Sequence, residues 1–155
     1  MKKVLFVCLG NICRSPLAEG VLIDHLKQQN ETAISVDSCG TSRYHIDEQP
    51  DPRTRSNAKK NGIHLSHHAR QLEERDLEEF DFILAMDRSN LSNIKKLSGF
   101  SANQEKVSLL RDFDPDEPGS DVPDPYFGGD RGFQEVFDIV KRSVLNFYST
   151  KLKDG

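Results

Sequence analysis

The chain has 155 residues, 21 Lys and Arg against 25 Asp and Glu for a formal net charge of −4, and three cysteines. That length suits a single domain over 1–155 with a substantial core. The intermixed, slightly acidic charge lacks the positive footprint that nucleic-acid binding needs. No apolar run is long enough for a membrane-spanning helix, and three cysteines do not make a disulfide framework.

Met1-Lys2-Lys3 and the short apolar stretch behind them imitate a signal peptide, but the stretch breaks at Gly10-Asn11 and runs into charged sequence. Val4, Leu5, Phe6 and Val7 instead form the continuous apolar run of a strand buried on both faces. Leu17, Ala18, Val21, Leu22 and Leu26 then recur at helical spacing and predict a helix over 16–29. A second strand follows at 34–38, a helix at 52–61, a third strand at 80–85, a helix at 88–97 and a short fourth strand at 106–109. Phe133, Val136, Phe137, Val140, Val144 and Phe147 mark the clearest helix, at the C-terminal end. Helices between strands favour a parallel sheet with right-handed crossovers and ligands outside the strand C-termini. The polar, Pro/Gly-rich interval 111–131 is too long for an ordinary connection, and such loops are often functional.

The densest chemistry lies between the first strand and the first helix, in Cys8-Leu9-Gly10-Asn11-Ile12-Cys13-Arg14-Ser15-Pro16. Gly10 and Asn11 tolerate turn or left-handed backbone, and Pro16 suits a first helical turn, where its missing N–H costs nothing. The N–H groups of the loop therefore converge with the positive end of a helix, which makes a phosphate-binding cradle of Leu9 to Ser15. The same field favours the thiolate form of Cys8, which is the nucleophilic form. Arg14 adds a planar fork for two phosphoryl oxygens. The Ser15 hydroxyl is placed to bond the Cys8 sulfur, to cap the helix, or both. A buried structural cysteine is the plainer reading of Cys8, but it leaves Arg14, Ser15 and Pro16 unexplained. Neither the Walker pattern nor G-x-G-x-x-G is present, so this cradle is not one built for a nucleotide.

A thiolate that displaces a leaving group needs a proton donor opposite it. The interval 111–131 contains no histidine, which leaves Asp112, Asp114, Asp116, Glu117, Asp121 and Asp124. Asp121 and Asp124 are hard to separate on the residues alone, though Pro125 stiffens the backbone after Asp124. A calcium loop is a poor reading of the run. Glu117 stands where the turn glycine belongs, and Pro123 where the closing glutamate belongs.

His64, His67 and His68 invite a metal reading. No cysteine accompanies them and their spacing makes a poor zinc set, so no metal is expected. Asp87 is placed to cap the helix after the third strand. Cys13 shares the tight loop with Cys8, so an oxidised Cys8 has a candidate disulfide partner; packing as a small hydrophobe is the alternative. Cys39 reads as a core cysteine closing the second strand.

VCLGNICRSP from Val7 with AEG behind it, together with DPY at Asp124-Pro125-Tyr126, resembles the low-molecular-weight protein tyrosine phosphatase family. PDPRTRSNAKKNGI from Pro50, SHHARQL from Ser66 and MDRSNL from Met86 extend the resemblance over essentially the whole chain. It implies an α/β fold of three layers, with a central four-stranded parallel sheet flanked by helices and the phosphate-binding loop after strand 1. It also implies a two-step hydrolysis of phosphotyrosine or aryl phosphates through a cysteinyl-phosphate, without a cofactor. Cys8, Arg14 and Asp124 match the catalytic positions, and Asp124 thereby becomes the general acid. Asp121 matches a position that assists, Asp87 one with a structural place near the site, and His67 one that steadies the cradle through Asn11.

Ile12, Tyr44, Tyr126 and Phe127 are the candidates for the pocket walls, since an aryl substrate is best bound between apolar and aromatic side chains. Tyr44 stands where the family usually has tryptophan, and Phe127 where some relatives have a second tyrosine. Three neighbouring readings fare worse. Arsenate reductases with this cradle need cysteines in a later loop, and none follows Cys39. Protein-arginine phosphatases carry threonine where Ile12 stands. A non-enzymatic phosphotyrosine-binding module needs neither a reactive thiol nor an acid. The expected partners are phosphotyrosine proteins or small aryl phosphates, with no nucleic acid and no membrane. The chain is expected to be a monomer or weakly self-associating, and a reactive thiolate suits the cytoplasm.

Overall fold

The computed structural model describes residues 1–125 and 129–153, so Tyr126 and Phe127 lie outside the described residues. Its centre is strand β1 (Lys2–Cys8), longer at both ends than its apolar run because Lys2 and Lys3 pair with Ile34 and Ser35. The sheet also contains β2 (Ile34–Gly40), β3 (Phe82–Ala85) and β4 (Val107–Leu109). All pairings are parallel, in the order β2-β1-β3-β4.

Alternation along β1 sends its side chains to two separate cores. Val4 and Phe6 pack with residues of α1 (Arg14–Gln28), α2 (Pro52–Lys60) and α6 (Gly129–Phe147). Leu5 and Val7 pack on the other face with Leu77 of α3 (Glu74–Glu79) and Ile94 of α4 (Arg88–Lys95). The layers are therefore helix, sheet and helix, as the resemblance implies. With β2 and β3 on opposite sides of β1, the crevice at the C-terminal ends of the strands opens at Cys8, where α/β sheets of this order bind ligands.

Departures from the expected elements have local causes. The third strand starts at Phe82, because Phe80 terminates α3 and the Asp81 N–H donates to Lys3 O at 2.9 Å. Helix α3 itself carries no periodic signal: Leu77 is its one apolar residue, and buried Asp76 organises its start by accepting the Glu73 N–H at 2.8 Å. A further one-turn helix, α5 (Phe100–Asn103), follows Gly99. The final helix starts at Gly129, ahead of its apolar stripe, and runs into a π-helical turn over Tyr148–Leu152. Among the described residues no helix is long and apolar enough to cross a membrane.

Candidate active site

β1 ends at Cys8, and the chain reverses through Asn11, whose φ of 58° is left-handed, a conformation asparagine tolerates better than most residues. The end of β2 presses against this loop. Thr41 N–H donates to Cys8 O and Ser42 N–H to Leu9 O, both at 2.9 Å. Gly40 is what permits the approach: a Cβ there would lie 2.6 Å from Leu9 O and 3.1 Å from Asn11 N.

The loop folds around the sulfur. Cys8 Sγ is buried, accepts the Asn11 N–H at 3.2 Å and lies 3.0 Å from Ser15 Oγ. The Asn11 amide donates to Ser15 Oγ at 2.7 Å and to Ser38 Oγ at 3.0 Å. Its Oδ1 accepts the Arg70 N–H at 3.0 Å and lies 2.6 Å from His67 Nε2. As Oδ1 has no proton to give, that imidazole nitrogen must be the donor. The His67–Asn11 contact implied by the resemblance is therefore present. Of the two roles open to Ser15, the bond to the Cys8 sulfur is present and the cap is not: Ser15 sits inside the first turn of α1, Cys13 holds the N-cap position, and no side chain caps the helix. Its hydroxyl is committed to Cys8, Asn11 and the Cys39 carbonyl instead.

Arg14 is buried, and its Nη1 donates to Asp87 Oδ2 at 2.7 Å and to Val122 O at 3.1 Å. Burial would lower its pKa, but the charges of Cys8 and Asp87 and the Asp87 hydrogen bond outweigh that and push it above the ordinary arginine value. The other oxygen of Asp87 accepts the Asn90 N–H at 2.8 Å and caps α4. One carboxylate thus fixes both a helix end and the orientation of the fork.

A cavity of about 180 Å³ opens above this floor, lined by Cys8, Leu9, Gly10, Ile12, Cys13, Arg14, Ser42, Tyr44, His45 and Asp124. Tyr44 is 83 % exposed at the rim. His45 escaped the sequence reading. Its Nδ1 lies 2.8 Å from Glu48 Oε2, and its ring would stand 3.0 Å from a Cβ on Gly10. Of the six carboxylates considered as acids, Asp124 is the one that lines the cavity. Asp121 does not: it accepts the Arg88 N–H at 3.0 Å, and its carbonyl accepts Arg111 Nη1 at 2.7 Å. Val122, buried between them, donates its N–H to Met86 O at 2.8 Å and ties the loop to the end of β3.

The root of that loop is ionic. Asp114 is buried, receives Arg142 at 2.8 and 3.1 Å and Arg111 at 2.9 Å. Burial alone would raise its pKa; the Arg142 and Arg111 hydrogen bonds win and hold it far below the usual carboxylate range. Burial outweighs the Thr54 hydrogen bond and pushes the Cys13 thiol up to about 12, and it outweighs the charge of Arg70 at Cys39, whose thiol is pushed well above its ordinary value.

Glu19, Asp37 and His67 bring three ligand-type atoms within 4.8 Å of one another. Ser38 already donates to Glu19 at 2.6 Å and Arg70 to Asp37 at 2.9 Å, while His67 spans from Glu19 to Asn11. The trio reads as a clamp behind the cradle. His64 and His68 are exposed and do not line the cavity.

This fold, with a cysteine–arginine cradle at the end of its first strand, matches a known class. A profile of the family described as low molecular weight phosphotyrosine protein phosphatase matches residues 3–154, and the chain belongs to that family. A relative from Schizosaccharomyces pombe bearing that same description is 44% identical over 147 residues, which are 94% of each chain. The crystal structure of a protein tyrosine phosphatase from Entamoeba histolytica, with Hepes in its active site, superposes with a TM-score of 0.91 at 36% identity over 96% of each chain. A Drosophila arginine phosphatase shares the fold with a TM-score of 0.86 at 31% identity, over 100% of each chain.

Proposed function

We propose that the chain is a protein tyrosine phosphatase that hydrolyses phosphotyrosine and other aryl phosphate monoesters through a cysteinyl-phosphate. The observation that carries this reading is the meeting of Cys8, Arg14 and Asp124 on one small cavity. Cys8 Sγ attacks phosphorus in line and breaks the bond to the phenolic oxygen, while Asp124 gives that oxygen its proton. Arg14 and the N–H groups of Leu9 to Ser15 hold the equatorial oxygens. Water then attacks phosphorus while Asp124 takes its proton, the P–S bond breaks with its electron pair going to sulfur, and phosphate leaves with the thiolate restored. Asn11, Ser15, His67 and Asp87 position these groups, and Asp121 acts only through the loop that carries Asp124.

Ile12 and Tyr44 on the walls favour a flat apolar ring over a hydrated guanidinium. The test compares a phosphotyrosine peptide with a phosphoarginine peptide. The expected result is hydrolysis of the first, abolished in Cys8→Ser while binding of inorganic phosphate persists. Preferential hydrolysis of phosphoarginine would overturn the substrate assignment, and turnover by Cys8→Ser the nucleophile. Activity is expected to survive exhaustive chelation, because the cradle holds its oxyanion with amides and a guanidinium. The reactive thiol also suits a reducing compartment such as the cytoplasm.

A further inference from the structure

A second, open groove of about 860 Å³ runs between one face of α2 and the run 63–68. None of its lining residues lines the cradle cavity. Helix α2 contributes Arg55 and Lys59, which share a helical face; the run contributes His64 and His68. No aspartate or glutamate lines the groove, in a chain whose net charge is −4. Neither Arg55 nor Lys59 has an ion-pair partner among the described residues.

The run is also an unused edge. Exposed His64, Ser66 and His68 alternate with buried Leu65 and half-buried His67, which is the pattern of an extended segment. Leu65 is anchored against α1 at Gly20, where a Cβ would come within 2.3 Å of its side chain. Among the described residues, no backbone N–H or carbonyl of residues 64–68 makes a hydrogen bond. A fixed, extended and unpaired segment beside a groove is where an added strand gains both backbone bonds and side-chain pockets.

We propose that this groove docks an acidic polypeptide segment in extended form. Its backbone pairs with residues 64–68, and its carboxylates meet Arg55 and Lys59. This surface touches the cradle through His67, which bonds Asn11, and the proposal does not depend on the phosphatase reading.

The probe is a fluorescein-labelled peptide of alternating Glu and Val without phosphate, followed by anisotropy on the full chain with vanadate saturating the cradle. The Glu-Val peptide is expected to bind saturably, and a Lys-Val peptide is not. The double variant Arg55→Glu/Lys59→Glu should bind about tenfold more weakly or worse, with its hydrolysis of a small aryl phosphate unchanged. N-methylation of alternate peptide nitrogens alters no residue of the protein. One of the two alternating sets should weaken binding about tenfold and the other should not. Absence of binding, equal binding by the double variant, or indifference to both methylation patterns would overturn the proposal. So would concentration-dependent self-association that Arg55→Glu/Lys59→Glu abolishes, which would make a second copy of the chain the occupant.

Discussion

Two segments face the same small cavity and are held by different forces. The cradle, Cys8 to Ser15, is fixed by short hydrogen bonds that converge on Asn11 and on the sulfur. The segment that carries Asp124 is fixed at its root by buried charge, with Asp114 between Arg111 and Arg142, and near its tip by the pairing of Val122 with Met86. The proposed nucleophile and the proposed acid therefore rest on different supports, which meet where Arg14 donates to Val122 O at 3.1 Å. Damage to the first should appear in chemistry before stability, and damage to the root of the second in stability before chemistry.

The largest effect on this division should come from Arg14→Lys. A point charge cannot reproduce a fork that holds Asp87 and Val122 with one nitrogen and leaves the rest for phosphate. Turnover with phosphate esters should fall about 10³-fold, comparable with loss of a principal oxyanion donor, while circular dichroism still reports a folded chain. An Arg14→Lys enzyme with near-native kcat/KM would remove the fork from the account.

Asp114→Asn probes the other support. It removes the buried charge that faces Arg111 and Arg142, while Glu117 and the Asp121 carbonyl still hold Arg111, so the loss should fall below the about 3–5 kcal/mol of a buried charge left unpaired. Chemical denaturation should show that loss, while the activity of the fraction still folded stays close to native. The pH dependence has a definite sign. The folded carboxyl is depressed below an unfolded value of about 4, so its contribution is complete above that pH and is lost as the pH falls. Melting curves of the wild type should thus decline more steeply than those of Asp114→Asn as acid is added below about pH 4.

His67→Ala removes one hydrogen bond to Asn11 and leaves the backbone bond from Arg70 in place. A loss of about tenfold in kcat is expected, the scale of one hydrogen bond to a buried polar group. No added divalent metal should restore it. Rescue by zinc or magnesium would turn the clamp of Glu19, Asp37 and His67 into a metal site.

The smallest basal effect belongs to Cys13→Ser, which should leave turnover nearly unchanged and show itself only after peroxide. A disulfide between Cys8 and Cys13 would protect an oxidised Cys8. With its thiol pushed up to about 12, Cys13 is rarely the attacking thiolate at neutral pH, so closure should accelerate as the pH rises. Mass spectrometry of peroxide-treated protein that finds no Cys8–Cys13 linkage at any pH would exclude the switch.

What was legible in the sequence follows the same division. The cradle was readable because its determinants are contiguous: a strand, a turn-tolerant pair, an arginine and a proline within one short run. The sheet was readable because β1 and β3 carry apolar blocks and β2 and β4 alternate apolar with polar residues, all between helical patterns. The residues that position the site lie far apart in the chain. Gly40 matters because Leu9 and Asn11 press on it; Glu19 and Asp37 matter because they meet His67. Asp121 and Asp124 have similar sequence surroundings, and the Val122–Met86 pairing and the Arg88 contact, which lie far off in the chain, hold Asp121 away from the cavity. His45 reaches the cavity through a turn that carries no signal of its own. Of the two roles read for Ser15, the bond to the sulfur is present and the cap is not, because the sulfur, the Asn11 amide and the Cys39 carbonyl occupy its hydroxyl.

The central claim is that the cradle performs the substitution while Asp124, on its own support, handles only the proton, giving one to the leaving phenolate and then taking one from water. The direct measurement is the leaving-group dependence of Asp124→Ala, using phenyl phosphate and the ester of a strongly acidic dinitrophenol. A phenolate that is hard to expel needs the proton, so phenyl phosphate hydrolysis should slow by about 10²–10⁴-fold. The dinitrophenyl ester, whose leaving group needs little help, should lose far less. Equal losses on the two esters would contradict the account.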